Sequence, residues 1–196
     1  GPARADPHFR RASARFKIAL RPETTPDERA SLLPDARADL DESLRRDPRL
    51  PEAWNLRGLV RNTLVELASA TGADLRAECR GARADLEECL KLRPGGADVH
   101  FNLALAGYLL ATVQARQGED PRDSYRGAIA DLDRALQLDP AHSRAHGIRA
   151  TCRHGLGLIA AAFRADPSAD FEQAEADFRT ALERDPTPAA LVGYGS

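Results

Sequence analysis

The 196-residue sequence contains no methionine, and only two of its 28 basic residues, Lys17 and Lys91, are lysine. Arginine in that excess, with abundant alanine, fits a GC-rich bacterial coding sequence, a matter of codon supply rather than chemistry. Aromatic residues make up 5%, so a core has to come from Leu, Ala, Val and Ile. The three cysteines are odd in number. Cys79 and Cys89 lie about 15 Å apart on a helix, beyond disulfide reach. With Cys152 they read as buried thiols of a reducing, cytoplasmic compartment. No apolar run is long enough to span a bilayer: Leu103–Val113 and Leu156–Phe163 are short and interrupted, so no membrane partner is expected. A basic excess is also missing, with 28 basic against 30 acidic side chains, which excludes the usual nucleic-acid footprint. There is no Gly-rich phosphate loop, no Ser-centred elbow and no His-Glu-x-x-His, so neither an enzyme nor a cofactor is expected. Gly1-Pro2 reads as the scar of a cleaved tag, and the chain as an excised piece of a longer protein.

What the sequence does have is a repeat. Ala36-Arg37-Ala38-Asp39-Leu40 returns as Ala82-Arg83-Ala84-Asp85-Leu86, as Ala128-Ile129-Ala130-Asp131-Leu132 and as Ala174-Glu175-Ala176-Asp177-Phe178, always 46 residues on. Leu44, Leu90, Leu136 and Leu182 form one further column, and Pro48, Pro94, Pro140 and Pro186 another. Each unit reads as two helices. Ala82, Leu86, Cys89 and Leu90 form the apolar stripe of one, closed by Pro94. Ala53, Leu56, Val60, Leu64 and Leu67 form the stripe of the other. Breaks are expected at Thr71-Gly72, at Gly118-Glu119-Asp120-Pro121 and at Asp166-Pro167-Ser168. Residues 5–21 read as a leading helix and 26–46 as its partner, kinked or restarted at Pro34. Helices of about 18–22 residues are expected.

The segment Ala128 to Pro140 resembles the second helix of the tetratricopeptide repeat (TPR). It has that pattern's small residue, large apolar residue, Ala-Leu pair and closing proline at Ala128, Leu132, Ala135-Leu136 and Pro140. Trp54 followed by Gly58 is similar to the first-helix pattern, and the resemblance covers residues 5–190. It implies an all-α, right-handed solenoid of antiparallel helical hairpins. It also implies a protein–protein interaction scaffold that takes a peptide, a helix or a neighbouring domain on the concave face of its first helices. The period departs from the family's 34 residues. The extra twelve lie between the first-helix aromatic and the second-helix Ala, so taller hairpins are expected. The aromatic is Trp54 once and His8, His100 and His146 elsewhere. Arg11, Arg57 and Arg149 replace a core leucine that survives only as Leu103. Arg15, Arg61 and Arg153 replace a later aromatic, with Gly107 in the remaining unit.

Arginines on the face that packs within a hairpin would be very costly unpaired. The Asp39, Asp85, Asp131 and Asp177 column is their natural counterpart, giving an expected ladder such as Arg57 or Arg61 with Asp85. An electropositive stripe for acidic peptide or phosphate is the other reading. Asp131 has neither arginine in its unit, so a cap, water or a neighbouring unit is expected to meet it. The groove implied by the resemblance would be lined by Phe9, Phe16, Lys17, Asn55, Asn62, Phe101, Tyr108, Arg144 and His154, with Phe101 and Tyr108 as anchors. Self-assembly through the end hairpins and binding of a small acidic ligand remain as alternatives. His142, His146, Cys152 and His154 have suggestive spacing but no convincing fourth ligand, so no metal is expected. Acids beside arginines, such as Asp133 with Arg134, read as solvated positions. The expected division is a scar at 1–2, a leading helix pair as a partial repeat at 3–35, repeats at 36–81, 82–127 and 128–173, and a final helix with a truncated next repeat at 174–196, all one solenoid domain.

Overall fold

The structure is a computed structural model that describes residues 6–68 and 74–186. The expectations for Gly1-Pro2, for the break at Thr71-Gly72 and for a further repeat beginning at 187–196 lie outside the described residues. Among the described residues there are eight α-helices and no strand: α1 (Pro7–Ala19), α2 (Pro26–Arg46), α3 (Pro51–Ala68), α4 (Arg76–Leu92), α5 (Ala97–Arg116), α6 (Arg122–Leu138), α7 (Ser143–Ala162) and α8 (Ser168–Arg184). Consecutive helices pair as hairpins. The chain divides between Pro94 and Gly95 into two units of four helices each.

The helix ends follow from the repeat columns. Asp6 caps α1 by accepting from the His8 and Phe9 amides, each at 3.2 Å, ahead of Pro7. Thr25 and Glu28 form a reciprocal capping box at the start of α2. The later second helices use an aspartate two residues before the first free amide. Asp74 accepts from Arg76 N, Asp120 from Arg122 N and Asp166 from Ser168 N, at 3.1, 3.0 and 2.9 Å. At the other end, the proline column forces its predecessor out of the α region. Asp47, Arg93, Asp139 and Asp185 have φ of −139, −143, −137 and −142°. Pro34 lies inside α2, which runs through it without a break. The helices run from 13 residues in α1 to 21 in α2, and three of the four second helices have 17.

Packing rests on small residues. Ala36, Ala82, Ala128 and Ala174 are buried to 2% exposure or less, and Leu40, Leu86 and Leu132 to 0%. The facing first-helix column is Ala12, Gly58, Ala104 and Ala150, all buried. At Gly58 the helices are so close that a Cβ would lie 2.6 Å from Leu86 Cγ. In the first unit this core joins α1–α3 through Leu33, Leu40, Leu50 and Val60, with Phe9, Trp54 and Leu59 packed against it. In the second unit α5 is buried over most of its surface, from Val99 to Val113.

Candidate functional site

The Arg and Asp columns meet. In the second hairpin Asp85 accepts from Arg57 Nη2 at 2.6 Å, Arg57 Nε at 3.0 Å and Arg61 Nε at 3.0 Å. In the fourth, Asp177 accepts from Arg149 Nη2 at 2.6 Å, Arg149 Nε at 2.9 Å and Arg153 Nη1 at 2.6 Å. In the first, Asp39 accepts from Arg11 Nε at 2.9 and 2.8 Å, and from Arg15 Nη1. The three aspartates are buried. Asp131, whose unit carries Leu103 and Gly107 in the arginine columns, is half-buried, with the His100 ring in its field.

The ladder also extends between neighbouring hairpins. Arg57 Nη1 donates to Asp41 of the preceding hairpin, and Arg149 Nη1 to Asp133, each at 2.6–2.7 Å. Glu78 accepts from Arg61 on one oxygen and from Arg37 of the preceding hairpin on the other, both at 2.6 Å. Asp133, expected as a solvated position, is 45% exposed, and it also joins the ladder through Arg149. The recurrence of Asp41 as Asp133, two repeats on, was the available signal. Gly81 makes room for this network, since a Cβ there would lie 2.8 Å from Arg61 Nη1. The ring column does related work. Trp54 Nε1 donates to the Pro48 carbonyl at 2.8 Å, and His146 Nε2 approaches the Pro140 carbonyl at 3.2 Å. Arg57 also stacks over Trp54 at 4.7 Å.

These contacts shift the protonation of the charged groups. Burial works against the cation at Arg57, but the bonds to Asp85 and Asp41 outweigh it and raise its pKa. The Arg11 hydrogen bond holds the Asp39 carboxyl below its ordinary 3.8 despite burial. A carboxyl depressed on folding contributes stability that is complete above its unfolded value and is lost as pH falls through its folded value. The melting temperature is therefore expected to decline below about pH 4. Asp39→Asn should lower it at neutral pH and flatten the acid slope. Identical acid slopes for the two proteins in melts from pH 7 to pH 3 would remove Asp39 from the account. Burial pushes the Cys79 thiol up to about 11 and raises Cys89 and Cys152 as well, so these thiols stay protonated and inert.

The structure divides the groove residues in two. Phe16, Asn62 and Phe101 are buried, at 8, 1 and 4% exposure, and are corrected as contact residues. Phe16 belongs to the core of the first unit. Phe101 lies under His142, with ring centroids 4.6 Å apart, and under the Arg144 guanidinium at 5.1 Å. Phe101 and Tyr108 thus do not form an exposed aromatic pair. Lys17 and Arg144 are exposed, while Phe9, Asn55, Tyr108 and His154 are half-buried. His154 stacks on Phe171 at 5.4 Å, and His142 accepts from the Ala145 amide. His146 faces Asp177 and Cys152 is fully buried, so the structure does not gather these four side chains into one site. Among the described residues no helix is long and apolar enough to cross a membrane.

No protein-family model and no curated protein matches the chain. Solved structures do. TTC0263, a thermophilic TPR protein of Thermus thermophilus, superposes with a TM-score of 0.58 at 18% identity, covering 92% of this chain and 79% of that one. A MamA structure labelled MSR-1 gives 0.56 at 16% identity over 94% and 90%. Another crystal structure of MamA gives 0.54 at 19% identity over 89% and 86%. At such identities the likeness is one of fold.

Proposed function

We propose that this chain, whose fold is that of the tetratricopeptide-repeat proteins, is a protein-interaction scaffold whose first helices present the contact surface. The observation that carries this reading is the layer those helices form. Within each unit the first helices touch one another, α1 on α3 and α5 on α7, giving a face shared by two hairpins. Lys17 and Arg144 stand exposed in the columns of that face, beside the half-buried Phe9, Asn55, Tyr108 and His154. The arginine columns are a poor alternative ligand site. Arg57 already places three nitrogens on Asp85 and Asp41, and Arg149 three on Asp177 and Asp133. An incoming anion would have to displace buried carboxylates. The ladder is the frame, and the mixed polar and apolar face beside it is the surface left for a partner.

The test is photo-crosslinking from position 55 or 108 in the intact chain, followed by purification of the captured complex. Lys17→Glu and Arg144→Glu are expected to weaken that complex at least tenfold, about 1.4 kcal/mol, with unchanged melting for Lys17→Glu, whereas Arg144→Glu also removes the cation over Phe101. A complex indifferent to both substitutions, or no crosslinked protein at all, would overturn the assignment to the first-helix face.

A further inference from the structure

Each unit carries an apolar groove between the start of a second helix and the end of the first helix that follows it. In the first unit a cavity of about 360 Å³ opens between the start of α2 and the end of α3, over Ala30, Leu33, Leu64 and Leu67. In the second a cavity of about 360 Å³ opens between the start of α6 and the end of α7, over Leu156, Ile159 and Phe163. Leu64 and Leu156 share a repeat column, as do Leu67 and Ile159. All these residues lie between the ring column and the small-residue column, the stretch in which the additional length is expected.

Both grooves combine exposed apolar side chains with arginine. Leu67 is 46% exposed and Phe163 74%, far more than a leucine or phenylalanine serving only the core. Arg29 lines the first groove. Its Nη2 donates to the Arg21 carbonyl, its Nε makes no hydrogen bond, and no carboxylate among the described residues pairs with it. That sets Arg29 apart from the arginines of the ladder. In the second groove Arg122 lies over Phe163 at 5.6 Å and is already paired with Asp120, Arg126 is paired with Asp123 at 3.3 Å, and Asp170 is also at the lining.

We infer that these end grooves are a second docking surface, and that their occupant is a short segment of a partner protein pairing aliphatic or aromatic side chains with an adjacent carboxylate. The apolar side chains would cover Leu64 and Leu67, and the carboxylate would meet Arg29; the second groove, whose arginines are already paired, offers Leu156 and Ile159 as an apolar floor alone. Charge complementarity at the first groove selects this occupant: the Arg29 guanidinium, with no carboxylate partner among the described residues, beside an apolar floor favours an acidic segment and repels a basic one. The inference rests on the scaffold reading for the partner being a protein, but not on the first-helix face.

The probe is a random twelve-residue peptide library displayed on phage and panned on the intact chain. Enriched peptides are expected to combine Leu, Ile or Phe with Asp or Glu. By fluorescence anisotropy their binding should weaken at least tenfold on Leu67→Glu or Ile159→Glu and severalfold on Arg29→Ala. Lys17→Glu should leave it unchanged. Leu67 is already half in solvent, so its substitution leaves the fold intact, which circular dichroism verifies. Peptides that bind Leu67→Glu and Ile159→Glu as well as the parent, that are basic, or that fail to enrich overturn the end grooves. Peptides lost on Lys17→Glu instead would transfer the site to the first-helix face, so the two surfaces fail separately.

Discussion

Replacing Asp85 with alanine is expected to destabilise the first unit by about 3–5 kcal/mol, the cost of removing one partner from a buried ion pair. The carboxylate is 3% exposed and takes three hydrogen bonds from two guanidiniums. Their side chains are themselves only 15 and 20% exposed, so neither can turn to solvent without unpacking the hairpin. Arg57 would keep Asp41, and Arg61 would keep Glu78, which places the expectation toward the lower end of that range. Asp131→Ala in the third hairpin is the matched comparison. Its unit has Leu103 and Gly107 where the arginines stand elsewhere, and the carboxylate is only half-buried, so a loss of about 1 kcal/mol is expected. Urea unfolding followed by circular dichroism separates the two, and equal losses would deny the ladder any special energetic part. Replacing Arg57, Arg61 and Asp85 together by Met, Leu and Leu should recover most of the stability. In that event the ladder fixes which hairpin faces pair rather than how tightly they hold.

The ladder was legible because it is written in columns. A charge that returns at one spacing on a face that must be buried demands a counter-charge at the same spacing, and Asp39, Asp85 and Asp177 supply it. The proline column was legible for a similar reason: it constrains the residue before it whatever the surroundings, and the four helix ends share one backbone conformation. The groove was far less legible. Whether an aromatic in a first-helix column reaches solvent depends on what the next hairpin lays over it. Phe101 is covered by His142 and Arg144, side chains more than forty positions away whose direction no local pattern reveals. Asn62 is polar and reads as a surface residue, yet it is 1% exposed. Pro34 argues for a kink or a restart, and there is no restart: α2 continues through it, with the capping box at its start and Leu33, Ala36 and Leu40 buried on one face. The contacts of Asp41 and Asp133 were not legible because their partners come from the following hairpin, and the sequence does not say which hairpin an exposed acid will lean toward.

The contact between Gly58 and Leu86 provides the other large expected effect. Leu86→Ala removes a fully buried side chain at the centre of the second hairpin and should cost about 2–5 kcal/mol through lost burial and the cavity left behind. Gly58→Ala acts through the opposite fault. Its new methyl would sit 2.6 Å from Leu86 Cγ, an overlap that costs about 1–3 kcal/mol and outweighs the gain of about 1 kcal/mol from replacing glycine within a helix. In the Leu86→Ala background the overlap is gone, the methyl fills part of the vacated space, and only the helix gain remains. Gly58→Ala should then become stabilising, so the double variant is more stable than Leu86→Ala alone. The coupling, about 1–3 kcal/mol, is measurable as a double-mutant cycle in urea. The other hairpins hold Ala12, Ala104 and Ala150 in this column, so their helices are already spaced for a methyl. Ala12→Gly should therefore lose about 1 kcal/mol. Additive losses at positions 58 and 86 would mean that the two helices separate freely, and that the small-residue column does not set how closely a hairpin packs.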